Sequence, residues 1–477
     1  MNSEKAAVSG KQLTRKQRKE LARRLWSQDP GLDVVHRDAA GIDIGSREHY
    51  VAVGPDRDPQ PVRCFGCFTA DLHRMAEWLK ACGVKTVAMQ STGVYWVPVY
   101  DILQQHGLEV WLVNARHTRS LPGRKSDVQE SQWLLKLHTY GLLNNSFRPP
   151  AEIRALRTYW RQRAEHVGAA GTAIQRMQKA LTEMNVQLAQ VISDLSGVTG
   201  QAILRAIVAG ERDGVRLAQL KDPRIQSSQE EIAKSLQGHW LPEQVFVLRQ
   251  QLELYDYHHK QMAECDQQLQ AGLQSLPSQP CRPAESSEAA RPDRAGGRKR
   301  KPKGNQPVFD LQAEQVRIAG VDLTRIDGVD VMTAQTIYSE FGPDMSPWRT
   351  EAHFASHLGL CPDNRISGGK VLKRGTRKVV HPVATALRLA ATTLIRSKSY
   401  LGAQFRRLRT KLGAPKAITA MAHKLARLVY RMLKYGQEYV DKGLAFYEQK
   451  YRQQQRQQLA KKAKELGFQL VEIKAVA

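Results

Sequence analysis

The sequence predicts an α/β domain, then a helical coiled-coil region, then a mostly α-helical domain carrying a helix-hairpin-helix-like element. Three observations carry that expectation. Strand and helix patterns alternate between residues 36 and 145, as in a largely parallel sheet with crossover helices. Apolar residues recur at spacings of three and four from Ile174 to Leu195, which is a heptad seam. A stretch of Pro, Ser, Gly, Ala and charge over 277–307 then separates this region from a second helical pattern.

Taken in order, residues 1–35 form a basic N-terminal arm, with seven Lys/Arg against one Glu over 10–24. It reads equally as a solvated terminus or a nucleic-acid contact. In the α/β domain, 36–149, strands are expected at Ala40–Gly45, His49–Gly54 (a hairpin with the first), Val84–Gln90 and Glu109–Asn114. Helices are expected at Val97–His106 and Asp127–Tyr140. The coiled-coil region spans 150–276, and its second seam runs through Val245, Leu248, Leu252, Tyr255 and Met262, with His259 in a core slot. The spacing fits a dimer contact, the reading preferred here, and also an antiparallel pair within one chain. The linker 277–307 ends in Arg298-Lys299-Arg300-Lys301-Pro302-Lys303. Residues 308–445 form the C-terminal domain, where Ile326–Ala334 has the look of a hairpin whose turn amides hold a phosphate, with Asp330 in the usual second-glycine position. Residues 446–477 are a charged helical tail.

The balance of charge narrows the partners. Lys and Arg number 72 against 46 Asp and Glu, a net charge of +26 in 477 residues. Such an excess calls for a polyanion, usually nucleic acid. An acidic membrane surface would want a long basic amphipathic helix with an aromatic face, which the sequence lacks. No apolar run approaches the roughly 18 residues of a spanning helix, and no signal region follows Met1. Six scattered cysteines point to a reducing, cytoplasmic compartment, with nucleoid association following from the charge. Cys64 and Cys67 make one CxxC; without a second ligand pair they read as partly buried thiols rather than a zinc site.

The chemistry concentrates in a few residues. Asp127 and Glu130 stand three apart at an expected helix start and project from one face. Asp43 lies within a buried strand pattern upstream. Together these are hard oxygen ligands for Mg²⁺ or Mn²⁺, suited to phosphoryl transfer. Acids in a first helical turn also answer to the helix dipole alone. Gln90 ends a strand before Ser91-Thr92-Gly93, at the carboxyl edge where α/β sheets place ligands, and offers a weaker, neutral oxygen. Ser367 sits in a Ser-Gly-Gly turn among Arg365, Lys370, Lys373, Arg374, Arg377 and Lys378, with no acid between 365 and 378. A serine there could attack a phosphodiester steadied by these cations, the candidate nucleic-acid contacts. Ser-Gly-Gly is equally ordinary loop chemistry.

The segments Gly41–Gly45, Met89–Trp96, Val113–His117, Pro122–Asp127 and those around Gly328 and Ser367 resemble the DEDD transposases of the IS-one-ten and IS-eleven-eleven group, the bridge-RNA-guided recombinases. The resemblance runs in order over roughly 36–440. It implies a RuvC-like domain of RNase H-like fold, a coiled coil, and a C-terminal domain whose serine forms a transient phosphoserine link to DNA beside metal-bound acids. It further implies a structured guide RNA pairing with donor and target DNA, and dimers assembling to a tetramer. Asp43, Asp127 and Ser367 take the positions of the first and third acids and of the serine. Gln90 stands where Glu is expected and Glu130 where the last Asp is expected, which weakens the case for a second tightly held metal. The competing readings are a junction endonuclease using metal-activated water, and a non-catalytic nucleic-acid-binding protein.

Overall fold

A computed structural model describes residues 33–91, 93–118, 126–280, 305–373, 375–377, 379–436 and 443–469. The arm before residue 33, most of the 277–307 linker, Lys125, Arg374 and Lys378 lie outside the described residues, as do the side chains of Arg365 and Lys373. The chain divides into two compact units, residues 1–148 and 149–477.

The first unit is built on a five-stranded sheet in the order β3-β2-β1-β4-β5. Its strands are β1 (Ala39–Ile44), β2 (Glu48–Ala52), β3 (Val62–Gly66), β4 (Thr86–Gln90) and β5 (Glu109–Val113). β1 pairs antiparallel with β2, and β2 with β3, while β1–β4 and β4–β5 are parallel. The sheet is therefore mixed, against the expectation of a largely parallel one. Its order and directions are consistent with an RNase H-like domain. β3 and the helix after it, α1 (Thr69–Ala81), were absent from the sequence reading. β3 alternates poorly because it is an edge strand with no residue fully buried.

One face of the sheet buries Ile42, Val51, Val87, Met89, Val110 and Leu112 beneath α1 and α2 (Trp96–Gln105). The other buries Ala88 and Val113 beneath Leu134 of α3 (Asp127–Thr139) and Leu143. A strand needs apolar residues at both parities to be covered on both faces, which is why β1 reads Ala-Ala-Gly-Ile.

In the second unit, α4 (Ala151–Glu183) and α5 (Pro242–Ser275) form a long antiparallel pair. Arg163 binds Asp266 in a buried ion pair at 2.5 Å, His166 meets His258 at 3.1 Å, and Gly272 abuts Leu156. The heptad seam is consequently used within the chain. Met177, Leu181, Met184 and Leu188 pack with Leu248 and Leu252, Leu181 at 1% exposure and Leu188 at 0%. These residues are taken up by the contact within the chain, while Ile174, Val191, Val245 and Tyr255 of the two seams stay partly buried. The seam is not one helix, since α4 ends at Glu183 and Asn185 turns the chain with φ 58°.

The helix α6 (Val331–Phe341) docks on α4. Glu340, 1% exposed, receives two hydrogen bonds from Arg161 at 2.8 and 2.9 Å and pairs with Arg157 at 3.1 Å. Asp330 caps α6, its carboxylate accepting from Thr333 N at 2.9 Å. In the expected phosphate-holding hairpin at 326–334, Gly328 turns the chain at φ 89° ahead of α6, and Asp330 takes up one amide of the helix start. Beyond it lie a two-stranded hairpin, β6 (Arg365–Ser367) and β7 (Lys370–Lys373), and the helices α7 (Pro382–Thr393) and α8 (Ala414–Tyr435).

Candidate active site

The sheet and α3 place the candidate acids. Gly41 faces α3 so closely that a Cβ there would lie 2.3 Å from Ser131 O and Leu135 N. Side chains alternate along a strand, so Asp43, two residues on, projects to the same face about 7 Å further toward the carboxyl end. The direction of α3 follows from its other contacts. Thr86, at the start of β4, hydrogen-bonds His138 near the end of α3 at 2.9 Å. Gly41, further along the sheet, meets Ser131 and Leu135 in the middle. α3 therefore runs antiparallel to β1, and its first turn, with Asp127 and Glu130, stands at the carboxyl end beside Asp43. Ser126 caps that turn, accepting from Gln129 N at 3.3 Å. Asp43 and Glu130 are half-buried, while Asp127 is exposed.

Gln90 joins the same row. Ile42 pairs with Met89, and one step on, Asp43 and Gln90 close neighbouring parallel strands. Gln90 shares its parity with Ala88 and its register with Val113, both beneath α3, so its amide is on the acid face. Its Nε2 donates to Thr118 Oγ1 at 3.0 Å, and Thr118 O accepts from Trp133 Nε1 of α3 at 2.9 Å. A second-layer contact thus fixes the Gln90 amide, a role that no local pattern around Thr118 announced.

On the other side of Asp43 the row continues into Tyr50 and Cys64, which are successive register partners across β2 and β3. Glu48 accepts from Tyr50 Oη at 3.2 Å and from Cys64 Sγ at 3.4 Å. The Glu48 carboxylate pushes the Tyr50 phenol up to about 12. Burial and Glu48 push the Cys64 thiol up, with the charge of Asp127 adding to them, which puts Asp127 in electrostatic reach of this row. Cys64 and Cys67 are both exposed, not partly buried as expected from the sequence. Tyr50 and Glu48 were legible in principle: once β2 is paired with β1, parity alone puts them on the face of Asp43.

Among the described residues, no three His, Cys, Asp or Glu side chains are gathered closely enough to hold a metal ion. What converges is the set of elements. Like-charged carboxylates repel one another, and the cation itself is what draws such a set together. The donor set, Asp43, Asp127, Glu130 and the Gln90 amide, is all oxygen and fits a hard divalent cation.

Ser367 lies in the second unit, at the end of β6. It pairs directly with Lys370 across a two-residue turn of Gly368 and Gly369, both at positive φ (53° and 75°). Two such residues make the tight reverse turn that suits a hairpin's twist. The site is therefore a defined hairpin rather than a loose loop. Lys370 and every residue from Ile366 to Leu372 are exposed. The base is anchored: Asp363 N donates to Gly375 O at 2.6 Å and Pro362 bridges to Thr376. Arg377 donates through Nη2 to Ser356 O and to Ser356 Oγ, which ties it to the hairpin base.

The described residues contain no helix long and apolar enough to cross a membrane. Residues 40–186 match the family model of DEDD transposases of the IS110 type, and residues 322–406 match that of "Transposase IS116/IS110/IS902 family". No curated protein matches the chain. The first match covers the acid-bearing sheet and α3, and the second covers the serine hairpin; over both segments the chain is similar to transposases of the IS110 family, and it is a DNA transposase or recombinase.

Proposed function

We propose that this insertion-sequence transposase cuts and exchanges DNA strands with Ser367 as nucleophile, working beside a divalent cation held by Asp43, Asp127 and Glu130. The observation that carries the reading is the convergence of β1, β4 and the first turn of α3 at one carboxyl edge of the sheet. Metal dependence is typical of the family; Mg²⁺ or Mn²⁺ suits the donors here. Bound there, the cation would polarise the phosphodiester and steady the leaving oxygen.

The chain's own residues do the rest. Ser367 Oγ bonds to phosphorus as its proton passes to solvent, and the P–O bond to the leaving strand breaks, that oxygen taking up a proton. The serine–phosphate diester preserves the bond for rejoining: a strand hydroxyl attacks phosphorus, its proton leaves, and Ser367 Oγ is released and reprotonated. Lys370, the cross-strand partner of Ser367, is suited to hold the phosphate. The net charge of +26 supports binding of donor and target DNA together with a structured guide RNA, which would choose sites by base pairing. Dimers pairing into a tetramer would bring the two DNAs together.

The test is a denaturing gel of the purified protein with labelled DNA. Wild type should give a protein–DNA adduct that Ser367→Ala lacks, with DNA binding nearly unchanged. Cleavage by Ser367→Ala at the wild-type rate would replace the serine reading with that of a junction nuclease using water.

A further inference from the structure

The serine hairpin exposes more than cations. Among the described residues Ile366 is 64% exposed, Leu372 70% and Val371 41%. An isolated two-stranded hairpin is marginal in water, and bulky apolar residues at its surface ask for a partner. The partner's charge is given by the sequence, with six Lys/Arg and no acid between Arg365 and Lys378. A polyanion that also offers apolar surface between stacked rings is a nucleic-acid duplex.

Register sorts the apolar residues. Ser367 and Lys370 are direct partners and share a face; Leu372 has no register partner, being the extra residue where the pairing slips between Ile366–Val371 and Arg365–Lys373, and such a bulge turns its side chain out of the regular alternation. Ile366 and Val371 are direct partners on the opposite face. Leu372 lies two residues along the strand from Lys370, the partner of Ser367, a rise of about 7 Å. Bases along one strand are spaced about 3.4 Å apart, so this rise corresponds to roughly two base steps.

We propose that Leu372 is a wedge: the hairpin enters a groove and inserts this side chain between base pairs about two steps from the phosphodiester that Ser367 attacks. Apolar side chains used this way unstack a step and kink the duplex, and the kink turns the neighbouring phosphate outward. Lys370, level with the nucleophile in register, takes the phosphate. Leu372 is a positioning residue. This inference rests on the serine reading above, and its test keeps the two apart.

The probe is a duplex spanning the junction of the encoding element with its flank, carrying 2-aminopurine at successive positions. The protein is the full-length chain as purified, without nuclease treatment. With Ser367→Ala, fluorescence should rise at one step near the junction, and a second change, Leu372→Ala, should abolish that rise. In the otherwise wild-type chain, Leu372→Ala should lower adduct formation on the order of tenfold, the scale of an unstacked base step. Leu372→Phe should retain it, and a mismatch at the unstacked step should restore adduct formation to Leu372→Ala. Unchanged fluorescence in Leu372→Ala, or no rescue by the mismatch, overturns the wedge while the adduct still stands for the serine. An adduct absent on every duplex, with the fluorescence rise intact, overturns the serine and leaves the wedge.

Discussion

Asp43 lies one residue from the end of a strand that is hydrogen-bonded on both sides and covered by helices on both faces, whereas Ser367 ends a three-residue strand whose hairpin is exposed from Ile366 to Leu372. The acids stand on a frame that the chain completes alone: buried residues fix β1, a glycine admits α3, and capping by Ser126 sets the first turn. The hairpin is fixed only at its base. The difference teaches a division of labour. One half is built before any substrate arrives, and the other is left to be ordered by what it binds. On the proposed serine mechanism, catalysis would depend on nucleic acid to complete the second half, a safeguard for an enzyme that breaks DNA.

The largest effect that would test this division falls on the acids. Asp127→Ala should reduce strand cleavage on the order of 10²–10³-fold, as loss of a group stabilising developing charge does. DNA affinity at a given salt should hardly change, because binding rests on Lys and Arg. Recombination that proceeds undiminished in EDTA would remove the metal from the acid edge and with it the reason for these carboxylates.

A matched pair of glycine substitutions probes the frame against the hairpin. Gly41→Val forces a Cβ to within 2.3 Å of α3 backbone atoms, so it should cost about 3 kcal/mol or more and lower the thermal midpoint visibly. Gly369→Val meets nothing within 4 Å but must hold φ near 75°. Its strain, about 1–3 kcal/mol, falls on an exposed hairpin. The midpoint should stay where it is while adduct formation drops. Equal loss of stability in both variants would mean the hairpin belongs to the cooperative core.

Acid should act on the frame as well. Burial, and then the neighbouring His36, hold His138 down at about 4. The unfolded chain therefore takes up a proton near pH 6.5 while the folded α/β domain does not, and stability falls as pH drops from about 6.5 toward 4, by at most about 3 kcal/mol. His138→Gln should flatten that slope, read as thermal midpoint against pH. An unchanged slope would assign acid sensitivity elsewhere, for instance to His381, which burial also holds at about 4.

Legibility in the sequence followed the same division. β1, β2, β4, β5, α2 and α3 were readable because each is covered by the chain itself, so apolar periodicity reports it. β3 was missed because an edge strand with half-exposed residues carries little such signal. The heptad seam was readable as a seam, but Leu181 and Leu188 look identical whether they face a second copy or α5, and only the antiparallel contacts decide. Asp127 and Glu130 were visible from spacing. The role of Thr118 in holding Gln90 was not, since it depends on the short helix Ala115–Thr118 meeting the end of β4. Nor did Asp330 announce that it would cap α6 through the amide of Thr333.

The smallest expected change is also the sharpest question about the acid edge. Gln90→Glu puts a carboxylate beside Asp43, where the family pattern has one. The Thr118 hydroxyl now accepts from the Gln90 amide and donates to Ala115 O at 3.2 Å. It would have to rotate and donate to the new carboxylate, a local exchange of about 1 kcal/mol. The gain is a charged oxygen for a second cation, so half-maximal cleavage should need several-fold less Mg²⁺, with little change in the maximal rate. Loss of cleavage at every Mg²⁺ concentration, with the thermal midpoint unchanged, would show that the amide donor itself matters. Gln90 would then serve the edge by holding Thr118 and the start of α3 in place, and the frame would have been built to work with one acid fewer.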